Sequence, residues 1–170
     1  LKEAKTIENE KGVDWTEGLD DGKVLGTVHT RFDVMNRVVS SCLKGQIRGA
    51  VISGAPGIGK TYTVEEALKN RSEASNRTKR HKIIKGSVSP IGLYQTLWHY
   101  QHPGDVILLD DTDSIFFEDD GVSLLKAALD SSPQRWITWN SEAAVLKQND
   151  IPQEFEYNGT MLFITNTDFQ

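Results

Sequence analysis

The chain has 170 residues, 38% of them hydrophobic and 25% charged, the proportions of an ordinary globular protein large enough for one core. No apolar run approaches the roughly 20 residues that cross a bilayer. Leu1-Lys2-Glu3-Ala4-Lys5 lacks the apolar core of a signal peptide and the single Cys42 forms no intrachain disulfide, so the expected setting is a reducing cytoplasm without membrane contact.

Residues 1–28 carry Gly12, Gly18, Gly22 and Gly26 and no sustained period, and are expected to form an irregular arm ahead of a core at 29–170. A helix is expected over 30–44: Thr30 and Asp33 suit its N-terminus, Met35, Val38, Val39, Cys42 and Leu43 share one face, and Gly45 ends it. Cys42 lies on that apolar stripe and reads as packing.

The chemistry begins at 49–61. Ala50-Val51-Ile52 predicts a buried strand, and Gly54-Ala55-Pro56-Gly57-Ile58-Gly59-Lys60-Thr61 follows it directly, with a helix expected from Lys60 through Tyr62 to about Asn70. This is the full phosphate-loop pattern between a strand and a helix. Its glycines let successive N–H groups turn into one nest, and the helix start adds its positive end. Lys60 is placed to reach the β- and γ-phosphates and Thr61 to ligate Mg²⁺. An ordinary glycine turn accounts poorly for the Lys-Thr ending.

Residues 69–85 hold seven Lys and Arg against Glu73 alone. Such a run suits a nucleic-acid backbone, but no aromatics interleave to stack bases, and a solvated connection is the simpler reading. A second strand is expected over 82–88. Ser89-Pro90 then opens a helix with Ile91, Tyr94, Leu97 and Trp98 inward, stopped by His102-Pro103-Gly104. His99 and His102 read as a helix-end surface pair, with no third ligand for a metal.

Residues 105–111, Asp-Val-Ile-Leu-Leu-Asp-Asp, are apolar throughout and end in two carboxylates. Such a strand is buried on both faces, as in a parallel sheet, and ligands collect at its carboxyl end. Asp110 is the candidate Mg²⁺ carboxylate and Asp111 the candidate for orienting and deprotonating an attacking water. A short helix over 121–131 is expected to turn Leu124, Leu125, Ala128 and Leu129 inward. Arg135–Asn140 and Glu154–Tyr157 alternate as strands, with a helical turn between them, and Met161-Leu-Phe-Ile-Thr165 is a further buried strand ending at Asn166.

This order resembles the AAA+ branch of P-loop ATPases, and the Leu-Leu-Asp110-Asp111 version of its Walker B strand is similar to replication initiators and helicase loaders, with a looser likeness to phage-encoded ATPases. The resemblance covers about residues 28–168. It implies an α/β three-layer P-loop NTPase sandwich with a parallel sheet in core order 1-4-3-2. It further implies that Asn166 is the sensor contacting the γ-phosphate or attacking water, and that Val28, His29 and Thr30 lie near the adenine. The family's fifth strand, helical lid and usual arginine finger have no counterpart in residues 1–170. An arginine supplied in trans within a ring or spiral of copies is therefore expected. Residues 132–159 exceed a minimal connection and are expected to form a packed insertion, the alternative being that Arg135, Trp136, Trp139 and Lys147 touch DNA or a neighbour.

The implied function is Mg²⁺-dependent ATP hydrolysis driving assembly or remodelling on nucleic acid, slow in the isolated chain. A P-loop kinase of small molecules needs several arginines in cis. After Lys85 only Lys126, Arg135 and Lys147 are basic, within a half (residues 86–170) that holds 3 basic against 13 acidic residues. A third alternative is an ATP-dependent binding module without turnover.

Overall fold

The computed structural model describes residues 21–73 and 80–166, with the side chains of 21–30 and 72–73 outside the described set. The chain divides into two compact units, Leu1–Met35 and Asn36–Gln170. What is described of the first is helical, the N-terminal part of α1 (Asp21–Leu43). This corrects the irregular arm over 21–28 and the helix start at Thr30. Val24, Val28, Phe32 and Met35 continue the helical spacing backwards. Gly22 and Gly26 cost about 1 kcal/mol each in a helix, but extending an established helix is far easier than nucleating one.

In the second unit, β1 (Gly49–Ser53) leads through the glycine-rich loop 54–59 into α2 (Lys60–Glu73). There follow β2 (His81–Lys85), α3 (Pro90–His99), β3 (Val106–Asp110), a 3-10 turn at Asp113–Phe117 and α4 (Asp119–Ala128). The remaining elements are β4 (Trp136–Thr138), α5 (Ala144–Gln148), β5 (Glu154–Glu156) and β6 (Thr160–Thr165). β1, β6, β3 and β2 form, in that order, one sheet whose neighbours are all parallel. The architecture is a mixed α/β fold, a four-stranded parallel sheet flanked by helices.

The two central strands, β3 and β6, are buried at every position, as their unbroken apolar runs require. Ile107, Leu109, Met161 and Phe163 point to a core shared with Leu93, Tyr94 and Leu97 of α3 and Leu124, Leu125 and Ala128 of α4. Val106, Leu108, Leu162 and Ile164 alternate with them. These four are buried outside that cluster, as are Val39 and Cys42 of α1 and Val64 and Leu68 of α2. Leu93 replaces Ile91 and Trp98 as a fully buried residue of α3, and Leu129, expected inward, is 37% exposed because α4 ends at Ala128. Ser89 caps α3, its Oγ accepting from the Gly92 amide at 3.2 Å.

The insertion over 132–159 is a packed element. β4 and β5 pair antiparallel, with Ile137 opposite Phe155 and both buried. Phe155 meets Tyr94 and Trp98 edge-on with ring centroids 5.3 Å apart, and Trp139 tilts against Tyr94 at 5.6 Å. Arg135 is buried, donates to the carbonyls of Ala128 and Gly159 and lies over the Tyr157 ring. Arg135 and Trp139 thus hold the insertion to the body, while Trp136 and Lys147 remain on the surface.

Candidate functional site

Parallel pairing brings the C-terminal ends of all four sheet strands to one edge. Ser53 is in register with Thr165, Ile164 with Asp110, and Asp110 with Lys85. The glycine-rich loop, the paired acids, Asn166 and Lys85 therefore emerge side by side, where ligands bind in open α/β sheets.

A cleft of about 500 Å³ opens there, lined by Pro56–Tyr62, Glu65, Asp111, Ile164 and Asn166, and Asp110 reaches it through Thr61. Gly57 and Gly59 hold φ of +78° and +84°, left-handed values that let the loop reverse and its N–H groups turn inward. Among the described residues no carbonyl accepts from the amides of 57–59. Lys60 is 5% exposed and folds back over its own loop. Its ammonium donates to the carbonyls of Gly54 and Ala55 (2.8 Å to Ala55) and to Asn166 Oδ1 at 3.0 Å. Tyr62 and Ile58 stand exposed at the mouth.

Thr61 Oγ1 donates to Asp110 Oδ1 at 3.1 Å, so the hydroxyl at the start of α2 and the carboxylate at the end of β3 meet. Asp110 is 5% exposed. Burial above all, then the neighbouring charge of Asp111, pushes its carboxyl above the usual range against the opposing Thr61 hydrogen bond. A carboxylate and a hydroxyl facing each other offer the oxygen ligands that a hard divalent cation takes. Orphan amides around Lys60 are the donor set of a polyphosphate. Both fit. Asp111 occupies the left-handed region with φ +52°, fixed by its amide donating to the Ile164 carbonyl at 3.0 Å. Its exposed carboxylate accepts from Asn166 Nδ2 at 2.9 Å. Asn166 therefore bridges Lys60 and Asp111 through the two ends of one amide.

Lys60, Thr61, Asp110, Asp111 and Asn166 thus converge, and Gly54 and Ala55 join them through their carbonyls. The side chains of Val28 and His29, and of Thr30, lie outside the described residues. Lys85 is a second cation at this edge of the sheet, one that no sequence motif marked. Lys85 Nζ sits 2.6 Å from Glu65 Oε1 and 3.9 Å from Asp110 Oδ2. Glu65, one turn after Thr61, was missed as well. Spacing marked only Glu65, four residues after Thr61; β2 ends at Lys85 rather than running on to 88 as expected, and that end is what sets Lys85 beside Asp110. Thr165, beside Asn166, donates to Asp113 Oδ2 at 2.9 Å and anchors the turn after the paired acids.

Several other sequence candidates have their partners elsewhere. Arg71 donates to the Gly104 carbonyl at 2.7 Å. Arg80 pairs with the buried Asp105 at 2.5 Å and lies over the Tyr100 ring. With Lys85, three of the seven cations of 69–85 are committed within the chain, and Arg77 and Lys79 lie outside the described residues. Among the described residues no group of three or more His, Cys, Asp or Glu forms a metal cluster, and no helix is long and apolar enough to cross a membrane.

No protein-family model matches the chain. Over 141 residues it is 40% identical to a 36.7 kDa protein of Enterobacteria phage T4, encoded in the nrdC–mobD intergenic region and uncharacterized by its printed name. The match takes in 83% of this chain and 42% of that protein, so the chain spans less than half the length of this relative. The chain has a phage relative. That relative assigns no activity to it.

Proposed function

We propose that the cleft binds ATP with Mg²⁺ and hydrolyses it, as a P-loop ATPase of the AAA+ type, and that turnover drives assembly or remodelling on nucleic acid. One observation supports the reading: a Lys60–Asn166–Asp111 hydrogen-bonded chain and a Thr61–Asp110 hydrogen bond meet at one pocket, through the adjacent pairs Lys60-Thr61 and Asp110-Asp111. The loop amides and Lys60 bind the phosphates, Lys60 exchanging the carbonyls of Gly54 and Ala55 for phosphate oxygens. Thr61 and Asp110 hold the metal, which supplies neutralisation of the charge that builds on the phosphoryl oxygens. Asp111 takes the proton of the attacking water as its oxygen bonds to the γ-phosphorus and the bond to the bridging oxygen breaks. Asn166 orients that water and keeps Asp111 in register with Lys60.

No arginine is among the residues lining the cleft. A trans arginine is worth about 10³–10⁵ in rate in related NTPases, so the isolated chain is expected to be slow and an assembly of copies to be the active form. The test is ATPase rate per chain against chain concentration, with and without DNA, beside Lys60→Ala. The expected result is a specific activity that rises with concentration and vanishes in the variant. Full activity in Lys60→Ala contradicts the nucleotide site, and a fast rate independent of concentration contradicts the assembly. ADP formation that requires an added nucleoside monophosphate would mark a kinase instead.

A further inference from the structure

The Glu65–Lys85 pair has no part in the reaction as drawn, yet it stands against the candidate metal carboxylate. Lys85 closes β2 in register with Asp110, so parallel pairing fixes the two side by side. Glu65 lies four residues after Thr61, on the same face of α2. The four side chains form a row. Thr61 donates to Asp110 Oδ1 at 3.1 Å, Lys85 stands 3.9 Å from Asp110 Oδ2, and Glu65 holds Lys85 at 2.6 Å. An exposed ion pair is worth little in itself. This one differs in its third member, because the Asp110 side chain is only 6% exposed while those of Lys85 and Glu65 are 58% and 34% exposed.

The asymmetry of the two distances carries the inference. A lysine at the tip of β2, with no rival, has Asp110 as its natural partner. An ammonium in direct contact there would cover Oδ2 and place a positive charge where the metal's shell must come. Glu65 draws the ammonium away, and the contact to Oδ2 stays at 3.9 Å, beyond hydrogen-bonding reach. We infer that Glu65 is a positioning residue for the metal site: it holds Lys85 off Asp110 and so keeps Oδ2 open to a hydrated divalent cation. Lys85 offsets one of the two carboxylate charges before the metal arrives. This rests on the nucleotide-site reading above and adds to it two residues with a defined coupling.

The coupling gives a signature that a simple structural pair does not share. In Glu65→Gln the ammonium is released onto Asp110, and Mg²⁺ affinity of the nucleotide-bound protein falls by about three- to tenfold, the scale of one unit charge acting over several ångströms of partly hydrated protein. In Glu65→Gln with Lys85→Met the obstruction is gone, and affinity returns to within about twofold of wild type. Lys85→Met alone leaves an extra unpaired carboxylate beside the site and binds Mg²⁺ as tightly as wild type or more so. The measurement uses a fluorescent ATP analogue. Binding is first established in EDTA for all four proteins, then Mg²⁺ is titrated at saturating nucleotide, with Mn²⁺ binding read by its paramagnetic signal as a second measure. Nucleotide binding in EDTA with the same Mg²⁺ midpoint in wild type and Glu65→Gln overturns this inference alone. So does a double variant as weak as Glu65→Gln, or a weakened Lys85→Met, which keeps the test decisive if Glu65→Gln folds poorly. Failure of wild type to bind nucleotide at all overturns the site reading, and this inference with it.

Discussion

Replacing Asp110 by Asn should separate what this site does for chemistry from what it costs the fold. Asp110 is 5% exposed at the end of a fully buried strand, and burial followed by the adjacent Asp111 holds its carboxyl above the usual range. An ionised group in such a place destabilises the folded state. Asn keeps an oxygen for the Thr61 hydroxyl at 3.1 Å and removes the charge. What it gives up is the 3.9 Å attraction to Lys85, an exposed cation screened by water. The variant should therefore gain stability without ligand, by about 0.5–2 kcal/mol at neutral pH, the usual yield of a single stabilising substitution. For a domain of this size each kcal/mol moves the melting temperature by roughly 2–4 °C.

The sign of the pH dependence follows. The folded protein holds the Asp110 proton more tightly than the unfolded chain, so wild-type stability falls as pH rises from the ordinary carboxylate range through the raised folded value. The gap between variant and wild type should open as pH rises from the ordinary carboxylate range and close as pH falls towards 4. Thermal melts in EDTA across that range, with Mg²⁺-dependent ATP turnover measured beside them, make the comparison. A variant less stable than wild type at pH 7, or a gap indifferent to pH, refutes the reasoning. Retained metal-dependent turnover removes Asp110 from the metal site.

Asp111→Asn should bind nucleotide as wild type does but turn over about 10²–10⁴-fold more slowly, the usual range for loss of a general base; equilibrium binding and single-turnover assays separate the two. Gly121→Ala should lose about 1–3 kcal/mol in a urea titration, because a methyl there would stand 2.6 Å from the Ile115 carbonyl oxygen, where the 3-10 turn presses on α4. Arg135→Leu should destabilise more than any surface cation, leaving the carbonyls of Ala128 and Gly159 without their donor; about 2–4 kcal/mol is expected by the same titration. Burial pushes the Cys42 thiol up to about 11, so maleimide labelling at pH 8 should be at least about 100-fold slower than in denaturant. Stability should also decline as pH climbs from about 9 to about 11, since the unfolded thiol ionises first.

Local signals made much of the molecule legible. Unbroken apolar runs at 106–109 and 161–164 marked strands buried on both faces, because only a covered parallel sheet shelters every side chain of a strand. Gly-rich spacing before Lys60-Thr61 marked the turn into α2, because only glycine takes left-handed φ there at no cost. Ser89-Pro90 marked the start of α3 for reasons confined to one helical turn. The start of α1 was misjudged because two glycines masked a stripe that continued beneath them.

What lay beyond reach was set by pairing across the sheet. That Asn166 would bridge Lys60 and Asp111 depends on β6 lying between β1 and β3, an order that only the family resemblance, and no local pattern, had suggested. That Lys85 would stand beside Asp110 depends on the register of β2 with β3, and a one-residue slip would turn it to the other face. That Arg135 would be buried over Tyr157, donating to the carbonyls of Ala128 and Gly159, depends on how the insertion packs. Chain-local chemistry reports which groups exist and what backbone they sit on; which charges meet is decided by strand order and register, and those are settled by burial summed over the whole sheet.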